Sequence, residues 1–494
     1  MDETLNDQEQ ARRDKLARYE ELGVDPFGSR YEWKDQIKDL REKYEKCTAE
    51  ELEAKHVEVN VAGRLIAIRR MGKASFVNLK DEYGQIQVWI GKNVVGEKAY
   101  DVFKLADLGD IVGVKGTLML TRTGELTIRC EEYTHITKCL KPLPEKFHGL
   151  TDPESRYRHR YVDLIVNDDS KRVALLRPAI VKGIREYCDN LGFVEVETPV
   201  LSPILGGAAA RPFITHHNAL DKDFYLRIAT ELNLKKCMVG GIDRVYEIGR
   251  IFRNEGIDAK HNPEFTTIEL YQAYGDLSDM RKWAEGLFHY IAENVVHKET
   301  FHWNDHDIDI SKPFAYVSMA DAIKERTGID FRDDIPFEKA VELAKKHNVP
   351  LEKSWNSTGY IMQAFFDEFV EPTLIQPTFI HTYPIEVSPL TKKTADPRFV
   401  DRFELFVGGT EFCNAYSELN NPFDQKERFV AELAARDRGD DEANDMDLNF
   451  LDALMYGMPP AGGIGLGVDR FCMLMCEEST IREVILFPTM KDEK

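Results

Sequence analysis

Between residues 57 and 137 apolar and polar positions alternate with a period of two. The runs VEVNVAGRLIAIRR, ASFVNLKDEYGQIQVWI and DIVGVKGTLMLTRTGELTIRCEEYTHIT divide into short strands at glycine-containing turns. Five strands in such a compass predict a small closed or partly open barrel. Ahead of it, residues 7–22 and 34–46 read as two charged helices broken by Gly23-Val24-Asp25-Pro26, and Thr48-Ala49-Glu50-Glu51 has the form of a capped turn. A solvated helical hairpin packed on the barrel is expected there.

After the barrel the pattern changes. Residues 142–170 mix Pro, Gly and charge with an aromatic run at 157–161, which predicts a linker followed by a docking helix. Residues 171–191 carry Val173, Leu176, Ile180, Ile184, Tyr187 and Leu191 at helical spacing. A strand at 193–199, a small-residue loop at 205–211, a hairpin through Thr215-His216-His217-Asn218 and a helix at 232–239 follow. Residues 245–252 and 265–271 are rich in β-branched and aromatic residues, and predict two strands joined by a long polar loop. Residues 276–376 predict helices, most clearly at 319–327 and 337–348. Residues 402–419 predict a strand kinked at Gly408-Gly409, and the glycine-rich 461–469 leads into a helix from Val468.

Composition narrows the function classes. With 494 residues and 43% hydrophobic content the chain can bury two or three cores. Its net charge of −21 argues against a general polyanion binder. The acidity is uneven, however: it concentrates at 437–447 (DRGDDEANDMD) and at the N-terminus, whereas 63–146 carries a small excess of Lys and Arg. Eight cysteines form no CxxC pair, so free buried thiols are expected rather than zinc. A secretory leader is not expected from the charged first residues, and no span of about 20 apolar residues occurs.

Candidate chemistry concentrates around the 253–264 loop, which holds Arg253, Asn254, Glu255, Lys260, His261, Asn262 and Glu264. A plain hairpin needs a two-residue turn, so a charged loop of this length has a ligand to hold. A guanidinium grips carboxylates and phosphates through paired hydrogen bonds, although an Arg253–Glu255 surface pair is the competing reading. Glu269 and Tyr271 share one strand face, as do Asn414, Tyr416 and Glu418. The adjacent His216 and His217 point to different sides of a strand, which disfavours joint metal ligation. In the barrel, Phe76 alternates with Val77, so one faces outward; alternation alone leaves open which.

FRNEG followed by HNPEFT and ELY resembles motif 2 of the class II aminoacyl-tRNA synthetases, in the form found in bacterial lysyl-tRNA synthetases. GFVEVETPVLSP, with Pro199, resembles motif 1, and GIGLGVDRFCML, with Arg470, resembles motif 3. The similarity runs from about Val59 to the C-terminus, and neither HIGH nor KMSKS of class I occurs. The resemblance implies an α+β fold: an antiparallel-sheet class II catalytic domain behind an N-terminal oligonucleotide-binding (OB) barrel. The implied domains are a helical extension at 1–55, an anticodon-binding barrel at 56–145, a linker at 146–170 and a catalytic domain at 171–494 with a helical insertion at about 277–376.

The resemblance also implies roles. ATP would meet Arg253, Glu255, His261, Phe265, Glu404 and Arg470, with Arg253 and Arg470 catalytic. Glu404 and Glu411 would hold Mg²⁺, whose preference is for hard oxygen ligands. L-Lysine would meet Gly207, Glu231, Arg253, Glu269, Tyr271, Asn414, Tyr416 and Glu418. Three carboxylates around one cavity repel unless a cation joins them, and a substrate with two ammonium groups would do so. Arg69, Phe76 and Gln87 would read tRNA(Lys) anticodon bases. The 173–191 stripe and the strand after it would form the core of a homodimer, and a cytoplasmic enzyme without membrane contact is expected. An aspartate- or asparagine-specific relative would need a cation or amide donor in place of Glu269 and Glu418. A protein-lysylating relative would lack the barrel, and an RNA-binding module would leave all three motifs idle.

Overall fold

The computed structural model describes residues 6–144, 150–204, 206–208, 210–437 and 446–492, with 435–437 described for backbone only. The acidic run at 437–447 lies almost wholly outside these residues. So do 1–5 of the acidic N-terminus, 146–149 of the expected linker, and Leu205 and Ala209 of the small-residue loop. The chain divides into two compact units, Met1–Leu150 and Thr151–Lys494. No helix among the described residues is long and apolar enough to cross a membrane.

In the first unit, strands Glu58–Met71, Ala74–Lys80, Gln85–Gly91, Ile111–Leu120 and Leu126–Thr137 close into a barrel. Val59, Val61, Leu65, Val77, Leu79, Ile86, Val88, Ile90, Val112, Val114 and Ile128 fill it. These positions follow the period-two alternation, which turns every second side chain inward. Helices Asp7–Glu21 and Ala49–Lys55 begin with reciprocal caps, Asn6 with Glu9 and Thr48 with Glu51. Helix Ala49–Lys55 shares the barrel core through Leu52, and the helical hairpin through Tyr19, Ile37 and Leu40. Arg12 Nη1 fastens it by donating to the carbonyls of Leu108 (3.0 Å) and Cys139 (2.9 Å).

The second unit is built on an eight-stranded sheet. Its order is Ala315–Ser318, Thr378–Pro384, Phe399–Val407, Thr410–Ser417, Ala461–Gly467, Glu264–Ala273, Arg244–Phe252 and Val194–Glu195. Only the two end pairs run parallel. Helices Asp168–Asn190, Leu277–Ile291 and Val468–Cys476 share one core with the sheet strands, giving it a buried side.

Several expectations change here. The Val173, Ile180, Ile184 stripe is buried in this chain's own core, with Leu176 and Tyr187 packed against it. It is therefore not the core of a subunit interface: the helix spends its apolar face covering its own sheet. Leu191 alone of the stripe is exposed. The strand at 193–199 shortens to Val194–Glu195, both exposed. The presumed linker forms helices Pro153–Arg158 and Arg160–Val166, fixed by the buried Arg160–Asp163 pair at 2.5 Å. The presumed helical stretch also contains strands Thr300–Trp303, His306–Asp309 and Ala315–Ser318. In the first two, Phe301, Trp303 and Ile308 alternate inward at period two, too briefly to outweigh the helical segments around them.

Residues 402–419 are not one kinked strand but two antiparallel ones. Gly408 and Gly409 (φ +57° and +65°) make the two-residue turn between them, a conformation that favours glycine at both positions. His216 and His217 lie on an exposed hairpin, His216 Nδ1 against Asp223 at 2.8 Å.

Candidate active site

The register of the central strands aligns two rows of side chains. Glu404 lies opposite Asn414, then Gly465, then Glu269; Arg402 lies opposite Tyr416, then Gly463, then Tyr271. The glycine strand Ala461–Gly467 therefore forms a side-chain-free floor between two polar walls. A Cβ at Gly463 would collide with the Glu418 carboxylate and the Tyr271 ring. A bulge brings Glu411 into the site. The register steps from Leu405↔Cys413 to Phe406↔Glu411, leaving Phe412 as an extra residue. Glu411 thus joins the more exposed side with Asn414 and Tyr416, while Phe412, Cys413 and Ala415 are buried.

One end of the floor is an acidic pocket. Glu231, the first residue of helix Glu231–Val239, Glu269 in mid-sheet and the fully buried Glu418 converge there. The Tyr416 hydroxyl donates to Glu231 Oε1 at 2.6 Å. The backbone N–H of Thr230 and the Tyr271 hydroxyl donate to Glu269 at 3.2 and 3.3 Å. Gly207, at φ +93°, stands beside this wall: a Cβ there would lie 3.2 Å from Ala229 Cβ and 3.7 Å from Glu231 Cβ. Burial, reinforced by Glu231, pushes the Glu269 carboxyl up to about 7. Burial raises Glu418 to about 8, against the opposing pull of Lys235.

The three carboxylates are not unrelieved, as the sequence reading had them. Lys235, which that reading missed, places its buried ammonium 2.5 Å from Glu231 Oε1 and 2.5 Å from Glu418 Oε2. Its signal was the i, i+4 spacing from Glu231, indistinguishable in sequence from a surface ion pair.

The other end is cationic. The hairpin strand stops at Phe252, so Arg253 opens the loop, its N–H bonded to the Pro263 carbonyl at 2.9 Å. Its guanidinium carbon lies 5.3 Å from the Phe265 ring centre, and Nε is buried without a hydrogen-bond partner. No Arg253–Glu255 pair forms among the described residues; Glu255 is exposed. Arg470 Nη1 donates to the Glu411 carbonyl at 2.7 Å, and its Nη2 lies 3.5 Å from His261 Nε2. His261 Nδ1 is held by Asp258 at 2.8 Å. Arg177 pairs with Asp469, which accepts from the Thr266 N–H and so ties the start of the Arg470 helix to the hairpin.

Between the ends, Glu404 accepts from the Tyr383 hydroxyl (2.8 Å) and pairs with Arg402 (2.5 Å). Burial holds its carboxyl at about 7; Arg402 pulls it down and Glu411 pushes it up. A buried carboxylate whose proton affinity is raised by a neighbouring one suits a divalent cation, which takes oxygen ligands and replaces the proton. No cluster of three or more His, Cys, Asp or Glu side chains suited to a metal occurs among the described residues, so any cation there needs further ligands from elsewhere. Asn414 Oδ1 accepts from Arg402 Nε at 2.9 Å. Sequence reading also missed Arg402 and Tyr383, which bond Glu404 and, for Arg402, Asn414 as well, and so fix them.

The barrel of the first unit has its own polar face. Arg69, Phe76, Trp89 and Arg129 are successive cross-strand partners, and Asn78, Gln87 and Thr127 form the next row. Val77 is 1% exposed and Phe76 half-buried, so Phe76 is the outward member of the alternating pair. Thr127 Oγ1 donates to Gln87 Oε1 at 3.0 Å, leaving the Gln87 NH₂ to donate outward. Trp89, two residues after Gln87 on the same face, was legible by that spacing but not singled out.

Comparison with known proteins follows the same division. The family described as tRNA synthetases class II (D, K and N) matches residues 152–491, and the OB-fold nucleic acid binding domain matches 59–136. Among curated proteins, the lysine–tRNA ligase of Streptococcus pneumoniae (strain CGSP14) is 53% identical over 490 residues, 99% of each chain. Those of Streptococcus suis (strain 05ZYH33) and Streptococcus gordonii (strain Challis) are 53% and 54% identical over the same share.

Proposed function

We infer the reaction from one premise: the chain belongs to the class II tRNA synthetases of the aspartate, lysine and asparagine group. It is an enzyme that joins lysine to tRNA, and its N-terminal barrel is an OB fold. The observation that carries the residue assignment is the floor with an acidic pocket at one end and Arg253 at the other. An amino acid with a cationic side chain lies along such a floor with its ammonium among carboxylates and its carboxylate at the guanidinium.

In this reading Glu269, Tyr271 and Glu418 hold the ε-ammonium, and Glu231 with the Gly207 carbonyl holds the α-ammonium. Tyr416, bonded to Glu231, keeps that carboxylate aimed. Arg253, whose Nε has no protein partner, and Asn414 orient the lysine carboxylate for attack on the ATP α-phosphorus. Phe265 packs the adenine, and Arg470 with His261 neutralises the outgoing pyrophosphate. Glu255, exposed in the loop, contacts ATP from the solvent side. Glu404 and Glu411 would hold Mg²⁺, which when bound withdraws charge from the polyphosphate. No protein nucleophile is required: the chain contributes alignment and charge neutralisation. The lysyl-adenylate then gives its acyl group to the terminal 3′ ribose hydroxyl of tRNA(Lys), whose anticodon bases stack on Phe76 and bond Arg69 and Gln87.

The chain acts as a homodimer in the cytoplasm. Support for the dimer is the exposure of the apolar side chains of Val194, Val200 and Leu201, in and just after the motif 1 strand. ATP–pyrophosphate exchange across all amino acids tests the proposal. Exchange with lysine and not with aspartate or asparagine is expected; exchange driven by either of the latter would refute it.

A further inference from the structure

Lys235 is as buried as any residue in the second unit, with 0% of its side chain exposed. Its ammonium lies 2.5 Å from Glu231 on its own helix and 2.5 Å from Glu418 beyond strand Thr410–Ser417. The rings of Tyr271, Tyr416 and Phe450 surround it at 5.8, 5.4 and 5.9 Å. No solvent reaches it, so its contribution to the pocket is a fixed positive charge rather than a mobile counterion.

We propose that Lys235 is a positioning residue that sets the charge of the amino-acid pocket to match a substrate with two ammonium groups. The proposal rests on the reading of this pocket as the lysine site. With all three carboxylates, Glu231, Glu269 and Glu418, ionised as they are when they hold ammonium groups, one resident ammonium leaves two negative charges. Lysine brings two ammonium groups, and its carboxylate is matched separately by Arg253. The bridge also has a geometric effect. It ties the start of helix Glu231–Val239 to the residue after strand Thr410–Ser417, so the carboxylates assigned to the α- and ε-ammonium groups are spaced by one protein atom.

The titratable and charged groups facing Lys235 are few. Its own helix presents Glu231, strand Glu264–Ala273 presents Glu269 and Tyr271, and the segment at 416–418 presents Tyr416 and Glu418; helix Leu448–Met455 presents the Phe450 ring. Without Lys235, buried carboxylates in this cluster would take up a proton instead of standing charged and unpaired. Lysine would then have to displace that proton to bind. Removal of Lys235 thus adds to the proton linkage that Glu269 and Glu418 already carry, with the lysine affinity becoming more dependent on high pH.

The test uses full-length Lys235→Met, Lys235→Arg and the charge-balanced double variant Lys235→Met/Glu231→Gln. Calorimetric titration with L-lysine in buffers of different ionisation enthalpy counts the protons released, and lysine-dependent exchange gives both KM values across pH. Lysine KM in Lys235→Met should rise about tenfold or more near neutral pH, with ATP KM changed less than about twofold. Lysine binding should release about one more proton than in wild type, and the pH profile of kcat/KM for lysine should move upward. Lys235→Arg should restore the proton count. The double variant, which keeps the pocket's net charge at its wild-type value and so keeps the proposal testable if Lys235→Met does not fold, should return the pH profile toward wild type while lysine KM stays raised. A wild-type proton count and profile in Lys235→Met, or a shifted profile in the double variant, overturns the proposal. Wild-type protein that fails to bind lysine would instead overturn the reading beneath it.

Discussion

If adenylate forms on the sheet floor and the barrel only reads tRNA, Phe76→Ala separates the two steps. Phe76 is half-buried on the barrel's outer face, between Arg69 and Trp89 in one cross-strand row. Removing its ring deletes one stacking platform, worth about 1–3 kcal/mol per base. Transfer of lysine to tRNA at limiting tRNA should fall by about tenfold to a hundredfold. Lysine-dependent ATP–pyrophosphate exchange, which needs no tRNA, should be unchanged. The cost to the fold is the lost cross-strand pairing with Arg69 and Trp89, about 0.2–1 kcal/mol per pair. That corresponds to a shift in Tm of a few degrees at most. A core phenylalanine would cost about 3–5 kcal/mol. Exchange that collapses in a variant whose Tm is near wild type would refute the separation of the two functions. Intact tRNA charging would refute the assignment of Phe76.

Gly463→Ala should abolish most lysine-dependent exchange, because its methyl group meets Glu418 and the Tyr271 ring; overpacking of this kind costs about 1–3 kcal/mol, so lysine KM should rise by about tenfold or more. Thermal unfolding with ATP alone distinguishes this from misfolding. Lysine binding should also depend on pH. The Glu269 carboxyl stands at about 7 and Glu418 at about 8 in the ligand-free protein, both above the ordinary carboxylate value. Such raised groups bind more protons folded than unfolded, so they cost stability increasingly as pH climbs from the unfolded value through the folded one. A bound ammonium removes that cost, so the rise in Tm caused by lysine should grow between about pH 6 and pH 8. A rise independent of pH would show that these carboxylates do not meet the ammonium.

Strand alternation showed the barrel, because each half-buried strand repeats at period two and its turns carry glycine. The same alternation could not say whether Phe76 or Val77 faced outward, since both are apolar; only closure of the barrel decides that. The hairpin around Arg253 was legible from its residues, and Glu269, Tyr271, Asn414 and Tyr416 were rightly placed on shared faces. Glu411 was harder, because a one-residue bulge turns it onto that face, and a bulge leaves no fixed sequence mark. Lys235 was invisible because burial distinguishes a pocket cation from a helix-surface pair, and burial comes from packing of distant segments. The 173–191 stripe illustrates the same limit. Its spacing established an apolar face, but that face covers this chain's own sheet.

The most direct measurement is lysine-dependent exchange in Glu418→Gln, which removes a charge while keeping the side chain's shape. Glu418 is wholly buried and touches the pocket cation Lys235. A charge-assisted hydrogen bond is worth about 1.5–3 kcal/mol. Lysine KM should therefore rise by about tenfold to over a hundredfold while ATP affinity stays near wild type. An unchanged lysine KM would contradict the assignment of this end of the sheet floor to the amino acid.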